Sequence, residues 1–369
     1  MRGLTLVLLI LLCTGGISDG ASGVFFATYF RSGNAIAQES GTTVSAASVR
    51  RAIQGGVRFL RSQQREDGTW GDYVQYRGGL TSLAMHALLT SGESPDDPAI
   101  AEGLTAVRQI PLEYTYVVSL QLMVLSRVGD PADQARITEC VRWLEQAQGN
   151  SGGWSYQEQP GEAFDLSNTQ FAILGLYEAE RCGIAVSPRT WQRVFTLLQS
   201  FQNQDGSWGY SSGSRHATGS MTCAGIGGVM MALDSAAIPN ARVRGENIEC
   251  CLDNPLGDET LAKGLRWIGR NFSASRNPGS GDTNRLYYLY GIERIGRLTG
   301  NRFFVREIPA AGGNEGDNGN VAATKYDWYR EGCHAILTWK GDTSDHWNHL
   351  GGNGENHPVI ATSYALLFL

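Results

Sequence analysis

The sequence predicts an all-α protein, an (α/α)6 toroid of six helical hairpins, and three observations carry that expectation. One frame recurs in three places: Leu60, Leu144 and Leu198 are each followed four residues later by Gln64, Gln148 and Gln202, and six residues after these by Trp70, Trp154 and Trp208. A glycine stands two residues before each tryptophan (Gly68, Gly152, Gly206), so the segments are internal repeats. Polar amphipathic segments alternate with more apolar segments rich in small residues, and strand signals are weak throughout.

The amphipathic helices are expected near residues 46–63, 98–109, 133–147, 188–202, 258–271 and 328–338. In the first, Ala52, Ile53, Val57, Phe59 and Leu60 fall at helical spacing, as do Val141, Trp143 and Leu144 ahead of Gln148. The turn through Gly68, Gly152 or Gly206 then stops the helix, glycine supplying the positive φ of a C-terminal turn. The glutamine amide is expected to bond the free N–H groups of the next helix while the indole covers it, which makes both residues structural fasteners.

The apolar helices are expected at 81–89, 115–125, 169–176, 222–233, 285–295 and 362–369, their starts 34, 54, 53, 63 and 77 residues apart. The later repeats therefore carry insertions. The second hairpin lacks the tryptophan and the last two keep it in degraded form, although Trp347 has Leu337 ten residues upstream, the spacing of the good copies. The last apolar run reaches Leu369 with no capping residue, which reads as a shortened final helix. Two concentric rings follow, apolar helices inside and amphipathic ones outside.

Arg2 and the apolar run Leu4 to Leu12 read as the start of a secretory signal peptide, too short to span a bilayer. With cleavage after Gly20 or after Ala37, residues 1–37 are signal peptide and leader, and 46–369 a single toroid domain. The expected location is outside the cytoplasm (periplasmic, cell-surface or secreted), with no transmembrane span in the mature chain. Glycine, at 47 of 369 residues, is about twice its usual share, but 11 prolines and no three-residue period exclude collagen and Pro/Gly disorder. With 30 Lys and Arg against 36 Asp and Glu and no basic run, nucleic acid is excluded as a partner. The cysteines beyond the leader, including the adjacent Cys250 and Cys251, are not spaced as a disulfide framework.

The Leu-x3-Gln-x2-Asp/Ser-Gly-x-Trp frame resembles the QW repeat of squalene–hopene cyclases and, more distantly, of protein prenyltransferase β-subunits, over residues 46–369. The resemblance implies a toroid scaffold and a test for activity. Those cyclases protonate an alkene with the middle acid of a D-x-D-D-T-A motif placed shortly after a Gly-Gly-Trp turn. Here Gly152-Gly153-Trp154 is followed by Asp165-Leu166-Ser167-Asn168-Thr169-Gln170. Ser167 sits where the family keeps its acid, Asn168 replaces the next Asp, and Asp165 matches only the outer position. Alkene protonation needs a strong carboxylic acid shielded from water, so the resemblance disfavours a protonating cyclase. The prenyltransferase zinc site implies Asp-x-Cys plus His, and the sequence has no Asp-x-Cys. Asp165, Ser167 and Asn168 read equally well as N-caps.

Asp165, His334 and His346 are the catalytic candidates. The stretch 342–357 gathers Asp345, His346, His349, Glu355 and His357 beside Cys333 and His334. Metal ligation by His346, His349 and His357 is one reading, but their spacing matches no zinc signature, and Gly351, Gly352 and Gly354 mark a loop. No metal or other cofactor is expected. Calcium binding by Glu315 and Asp317, in a Gly-rich insertion, is a remote reading. Cavity-lining candidates are Trp154, Tyr156, His86, Tyr287 and Tyr288. Gly225, Gly227 and Gly228 read as helix-packing residues. Two functions remain: an exported toroid that lacks the protonating acid and binds an apolar molecule, glycan or protein in or around its cavity, and, as the alternative, a cyclase- or prenyltransferase-related enzyme with an unrecognised site.

Overall fold

The structure, a computed structural model, describes residues 44–157, 161–235, 241–244, 247–250, 258–308, 322–340, 344–348, 350–352 and 354–369. The expected leader, His349 and the pair Glu315 and Asp317 lie outside the described residues, as do Cys251 and the side chain of Cys250.

Helices come in pairs: α1 (Ala46–Ser62) and α2 (Gly79–Thr90), α3 (Pro98–Arg108) and α4 (Thr115–Val128), α5 (Gln134–Ala147) and α6 (Leu166–Arg181). The second half repeats the scheme with α7 (Pro188–Phe201) and α8 (Gly219–Ser235), α9 (Glu259–Asn271) and α10 (Arg285–Thr299), α11 (Trp328–Lys340) and α12 (Pro358–Phe368). The odd-numbered helices bury one stripe each, whereas the even-numbered ones are buried almost all round. A helix apolar on every face must sit inside. Accordingly α2, α4, α6, α8, α10 and α12 pack each on the next, and α12 closes on α2. The final inner helix, eleven residues long, completes the ring despite its abrupt end. Among the described residues no helix is long and apolar enough to cross a membrane.

Two antiparallel hairpins amend the purely helical expectation. Strands β1 (Ala241–Arg244) and β2 (Asn247–Cys250) lie in the insertion before α9, and β3 (Phe303–Ile308) and β4 (Ala322–Asp327) between α10 and α11. Both occupy the long gaps between later repeats, where strands of four to six residues leave little periodic signal.

The repeated frame solves one problem at each outer-to-inner turn. The indole N–H of Trp70, Trp154 and Trp208 donates to the carbonyls of Leu60 (2.7 Å), Leu144 (2.7 Å) and Leu198 (2.9 Å), which lie in the last turn of each of these outer helices, where carbonyls run short of intrahelical partners. Each tryptophan's backbone N–H donates to a threonine hydroxyl in the first turns of the inner helix: Thr81 (3.1 Å), Thr169 (3.0 Å) and Thr222 (3.3 Å). The glutamines do reach the next outer helix, but as donors. Nε2 of Gln64, Gln148 and Gln202 bonds the carbonyls of Ala99 (2.8 Å), Thr190 (3.1 Å) and Thr260 (2.9 Å), not the free N–H groups expected. The reason is visible at two of the three sites, where Asp97 and Asp258 already accept from those N–H groups. Trp347 repeats the arrangement, its backbone on Thr362 (3.2 Å), but its indole meets Ile336 (2.8 Å), one residue earlier than the Leu337 expected.

Gly152 shows why the frame needs glycine. Its φ is +95°, and an added Cβ would lie 2.5 Å from the Arg193 carbonyl oxygen on the next outer helix. Gly183 has a similar φ, +90°, but open space around it. Gly183→Ala should therefore cost only backbone strain, about 1–2 kcal/mol, and Gly152→Ala about 2–4 kcal/mol, because a close helix–helix approach is lost as well. Urea unfolding of the two variants checks this; equal losses would mean that the close approach contributes nothing.

Candidate functional site at the mouth of the ring

Outer and inner helices alternate as hairpins, so the inner helices share one direction and their N-termini gather at one end. Tyrosines collect there. Tyr156 and Tyr210 stand two residues after Trp154 and Trp208, so the fastener itself aims them. Tyr76 precedes α2, and Tyr114 and Tyr116 flank the start of α4, whose Thr115 N–H donates to the Tyr156 carbonyl at 2.9 Å. Tyr76 meets Tyr114 edge-on at 5.3 Å and stacks on Tyr156 at 6.2 Å; Tyr116 lies 6.2 Å from Tyr156. The hydroxyls of Tyr156 and Tyr210 are 2.8 Å apart.

Asp165 lies beneath these rings, 4% exposed, as the N-cap of α6. Its Oδ1 accepts from the Asn168 backbone N–H (2.8 Å) and from the Ser167 hydroxyl, and its Oδ2 accepts from the Asn168 amide (2.7 Å). All three partners donate to it. Burial first, and the Asp165 charge among the further causes, pushes the phenols of Tyr76, Tyr116, Tyr156, Tyr210 and Tyr287 up.

About one turn further in, the ring is crossed. Phe171 on α6 stacks on Tyr287 of α10 at 6.2 Å and 12°, although α8 separates those helices in the ring. The Tyr287 hydroxyl donates to the Gln170 side-chain oxygen, a second link between the same two helices. Tyr116 packs on Phe171 at 4.8 Å and Tyr364 of α12 on Tyr287 at 5.7 Å, so four inner helices contribute to one aromatic bridge. His86 of α2 is 3% exposed, and neither ring nitrogen has a protein partner. Burial, then the charges of Arg294 and Arg127, pushes it down to about 3, so its imidazole is neutral.

Of the other candidates, Trp154 is a buried fastener, not a lining residue, because its indole is committed to Leu144. Tyr288 is also fully buried, packed where Gly219 would carry a Cβ, while its neighbour Tyr287 faces the centre. His334 is exposed on outer helix α11, away from the inner ring. His346 stacks on Phe59 of outer helix α1 at 4.3 Å. His357 caps α12 and meets Tyr73 edge-on at 5.6 Å. Asp165, His334 and His346 thus stand on three separate parts of the fold. Among the described residues no three His, Cys, Asp or Glu side chains are placed to share a metal ion.

Glu355, read in the sequence only as part of a polar stretch, is 1% exposed and accepts from the backbone N–H groups of Tyr287 (2.8 Å) and Leu286 (3.2 Å). It caps α10 from the turn before α12, a long-range role that no local motif signals.

Residues 108–219, which include the Asp165 turn, match the family model of the squalene-hopene cyclase C-terminal domain. The structure is similar to that of type II terpene cyclase MstE from Scytonema in its apo form, with 12% identity over 88% of this chain and 97% of that one and a TM-score of 0.51. A variant of that enzyme in complex with merosterolic acid A (product) gives 12% identity, 87% and 96% coverage and a TM-score of 0.52. This is a terpenoid cyclase-like toroid. No curated protein matches the chain in sequence.

In this terpenoid cyclase-like ring the buried Glu355 ties stability to pH. Burial outweighs its two backbone donors and pushes the carboxyl from 4.5 up to about 7. A raised folded value means that the folded state holds the extra proton, so this stability is full below pH 4.5 and is lost as pH rises through about 7. His86 acts in the opposite sense, its contribution lost as pH falls below 6.5. The measurable quantity is therefore the wild-type minus Glu355→Gln difference in unfolding free energy, which should fall by about 3 kcal/mol between pH 4.5 and 8. A flat difference in urea titrations across that range would refute the assignment.

Proposed function

We propose that this chain is an exported toroid that does not protonate alkenes and that binds an apolar molecule, polyprenyl in character, at the tyrosine mouth over Asp165. The observation that carries the reading is the Asp165 turn: the carboxylate accepts three hydrogen bonds, and the residue two positions on, where the cyclases keep their acid, is Ser167. A proton donor for an alkene must hold its proton before transfer, and each of the three polar groups that this turn sets against Asp165 donates to it, leaving no acceptor among them for an acid proton. The Phe171–Tyr287 bridge supports the same reading, since it crosses the space in which a folded polyene would need room. The ligand class draws on the tyrosine faces of the mouth and on MstE, whose solved forms include one with geranylgeranyl dihydroxybenzoate (substrate). Export rests on Arg2 and the run Leu4 to Leu12.

A second reading, an enzyme using Glu355, has one observation in its favour: a buried carboxyl whose proton persists to about pH 7. That value also makes it a weak acid, suited to general acid–base work near neutrality rather than to alkene protonation.

Incubation with geranylgeraniol, squalene and geranylgeranyl diphosphate, followed by native mass spectrometry and product analysis, separates the two. Binding-only function predicts saturable uptake of geranylgeraniol, recovery of every substrate unchanged, and affinity roughly tenfold weaker in Tyr156→Ala, the worth of one aromatic contact. A cyclised or transferred product would overturn it, and loss of that product in Glu355→Gln would establish the second reading.

A further inference from the structure

The outer wall carries a feature independent of the mouth. Hairpin β3–β4 lies against the end of α9, where Gly269 allows contact: a Cβ there would sit 2.0 Å from the Val305 carbonyl oxygen. Strand alternation then places Phe304 and Arg306 on one face, and the register sets Phe304 opposite Tyr326. Phe272, just past α9, meets Phe304 at 5.8 Å and Tyr326 at 5.4 Å. Beside these rings opens a cleft of about 440 Å³ lined by Arg270, Arg276 and Arg306 together with Phe272, Tyr326 and Asn277.

The cleft is built rather than incidental. Asn277, 1% exposed, accepts from the Ser220 N–H (3.0 Å) and donates to the Ser220 hydroxyl (3.1 Å) and the Thr283 carbonyl (3.2 Å). That anchors the wall from which Arg276 projects. The three arginines come from three segments: the last turn of α9, the loop after it, and β3. Among the described residues none of the three has an acidic partner, although the chain as a whole carries a net charge of −6. The C-terminal end of α9 accounts for a cation at Arg270, but Arg276 and Arg306 lie at no helix end. Three guanidinium groups around one concavity repel one another unless an anion joins them, and their planar donor forks match oxyanions in two-bond contacts.

We infer that this cleft binds an oxyanion, phosphate or sulfate, carried on a small organic ligand whose apolar face rests on Phe272 and Tyr326. The test is calorimetric titration of the full chain with inorganic phosphate, inorganic sulfate, glucose 6-phosphate and glucose 6-sulfate, at low and at physiological ionic strength. One-site binding is expected, tighter for the sugar esters than for the inorganic ions and weaker at the higher salt. Arg276→Gln and Arg306→Gln should each weaken it about tenfold or more, while Arg50→Gln on distant helix α1 leaves it unchanged. The stronger of the two ester arms identifies the anion. Absence of saturable binding, indifference to both cleft substitutions, equal loss in Arg50→Gln, or sugar esters no tighter than the bare ions would each overturn the proposal. Circular dichroism of the exposed-residue variants confirms that they remain folded.

Discussion

The indole-to-carbonyl bond at the end of four outer helices, α1, α5, α7 and α11, is the interaction on which most of the ring depends. A helix that stops inside a protein leaves carbonyls without partners, and leaving one buried and unmet costs about 1–3 kcal/mol. Trp154 meets the Leu144 carbonyl with its side chain and Thr169 with its backbone, so one residue both terminates the outer helix and fixes where the inner one begins. Gln148 then joins that turn to the next outer helix, and Gly152 lets the two approach. Because the turn is rigid, the residues after it are aimed. Tyr156 and Tyr210 reach the mouth because each stands two residues beyond a fastened tryptophan.

The mouth and the bridge are both consequences of six inner helices pointing the same way. Their N-termini favour carboxylates, and Asp165 and Glu355 occupy two of them by different routes. Asp165 caps its own helix within one turn, with donors from Ser167 and Asn168. Glu355 reaches α10 across 68 to 69 residues of chain and is more deeply buried, with backbone donors only. Burial then governs Glu355, which keeps its proton to about 7.

Most of the fold was legible because its signals are local and repeated. Among the described residues the twelve α-helices lie where hydrophobic period places them, with glycine and tryptophan marking the turns that carry the frame, and Thr81, Thr169, Thr222 and Thr362 are the hydroxyl partners of four tryptophans. The hairpin β3–β4 was not legible, since its order comes from Gly269 against Val305, a contact between segments far apart in sequence. The site was only partly so. Tyr156, Tyr287 and Asp165 were named, but Tyr76, Tyr116, Tyr210, Phe171 and Glu355 gain meaning only when four inner helices meet. Neighbours on one buried helix carry no sequence signal that separates them: Tyr287 faces the centre and Tyr288 does not, a difference of 100° that a buried run of tyrosines conceals.

The same geometry bears on acid chemistry at the start of an inner helix. A helix N-cap is a poor place for a proton donor, because its oxygens are committed to accepting from backbone N–H groups, with which an acid proton would compete. Catalysis of alkene protonation therefore asks for an acid beyond the cap, whose proton does not compete with the cap's own donors. Here the cap is the acid and the position two residues on holds a hydroxyl that itself donates to it. Restoring an acid at that position would bring a second carboxyl against Asp165, and repulsion would raise the pKa of one of the pair, giving a proton donor but a weaker one. A single substitution at Ser167 is thus insufficient by this argument. The crossing of Phe171 and Tyr287 would also have to open before a folded polyene could reach the new acid.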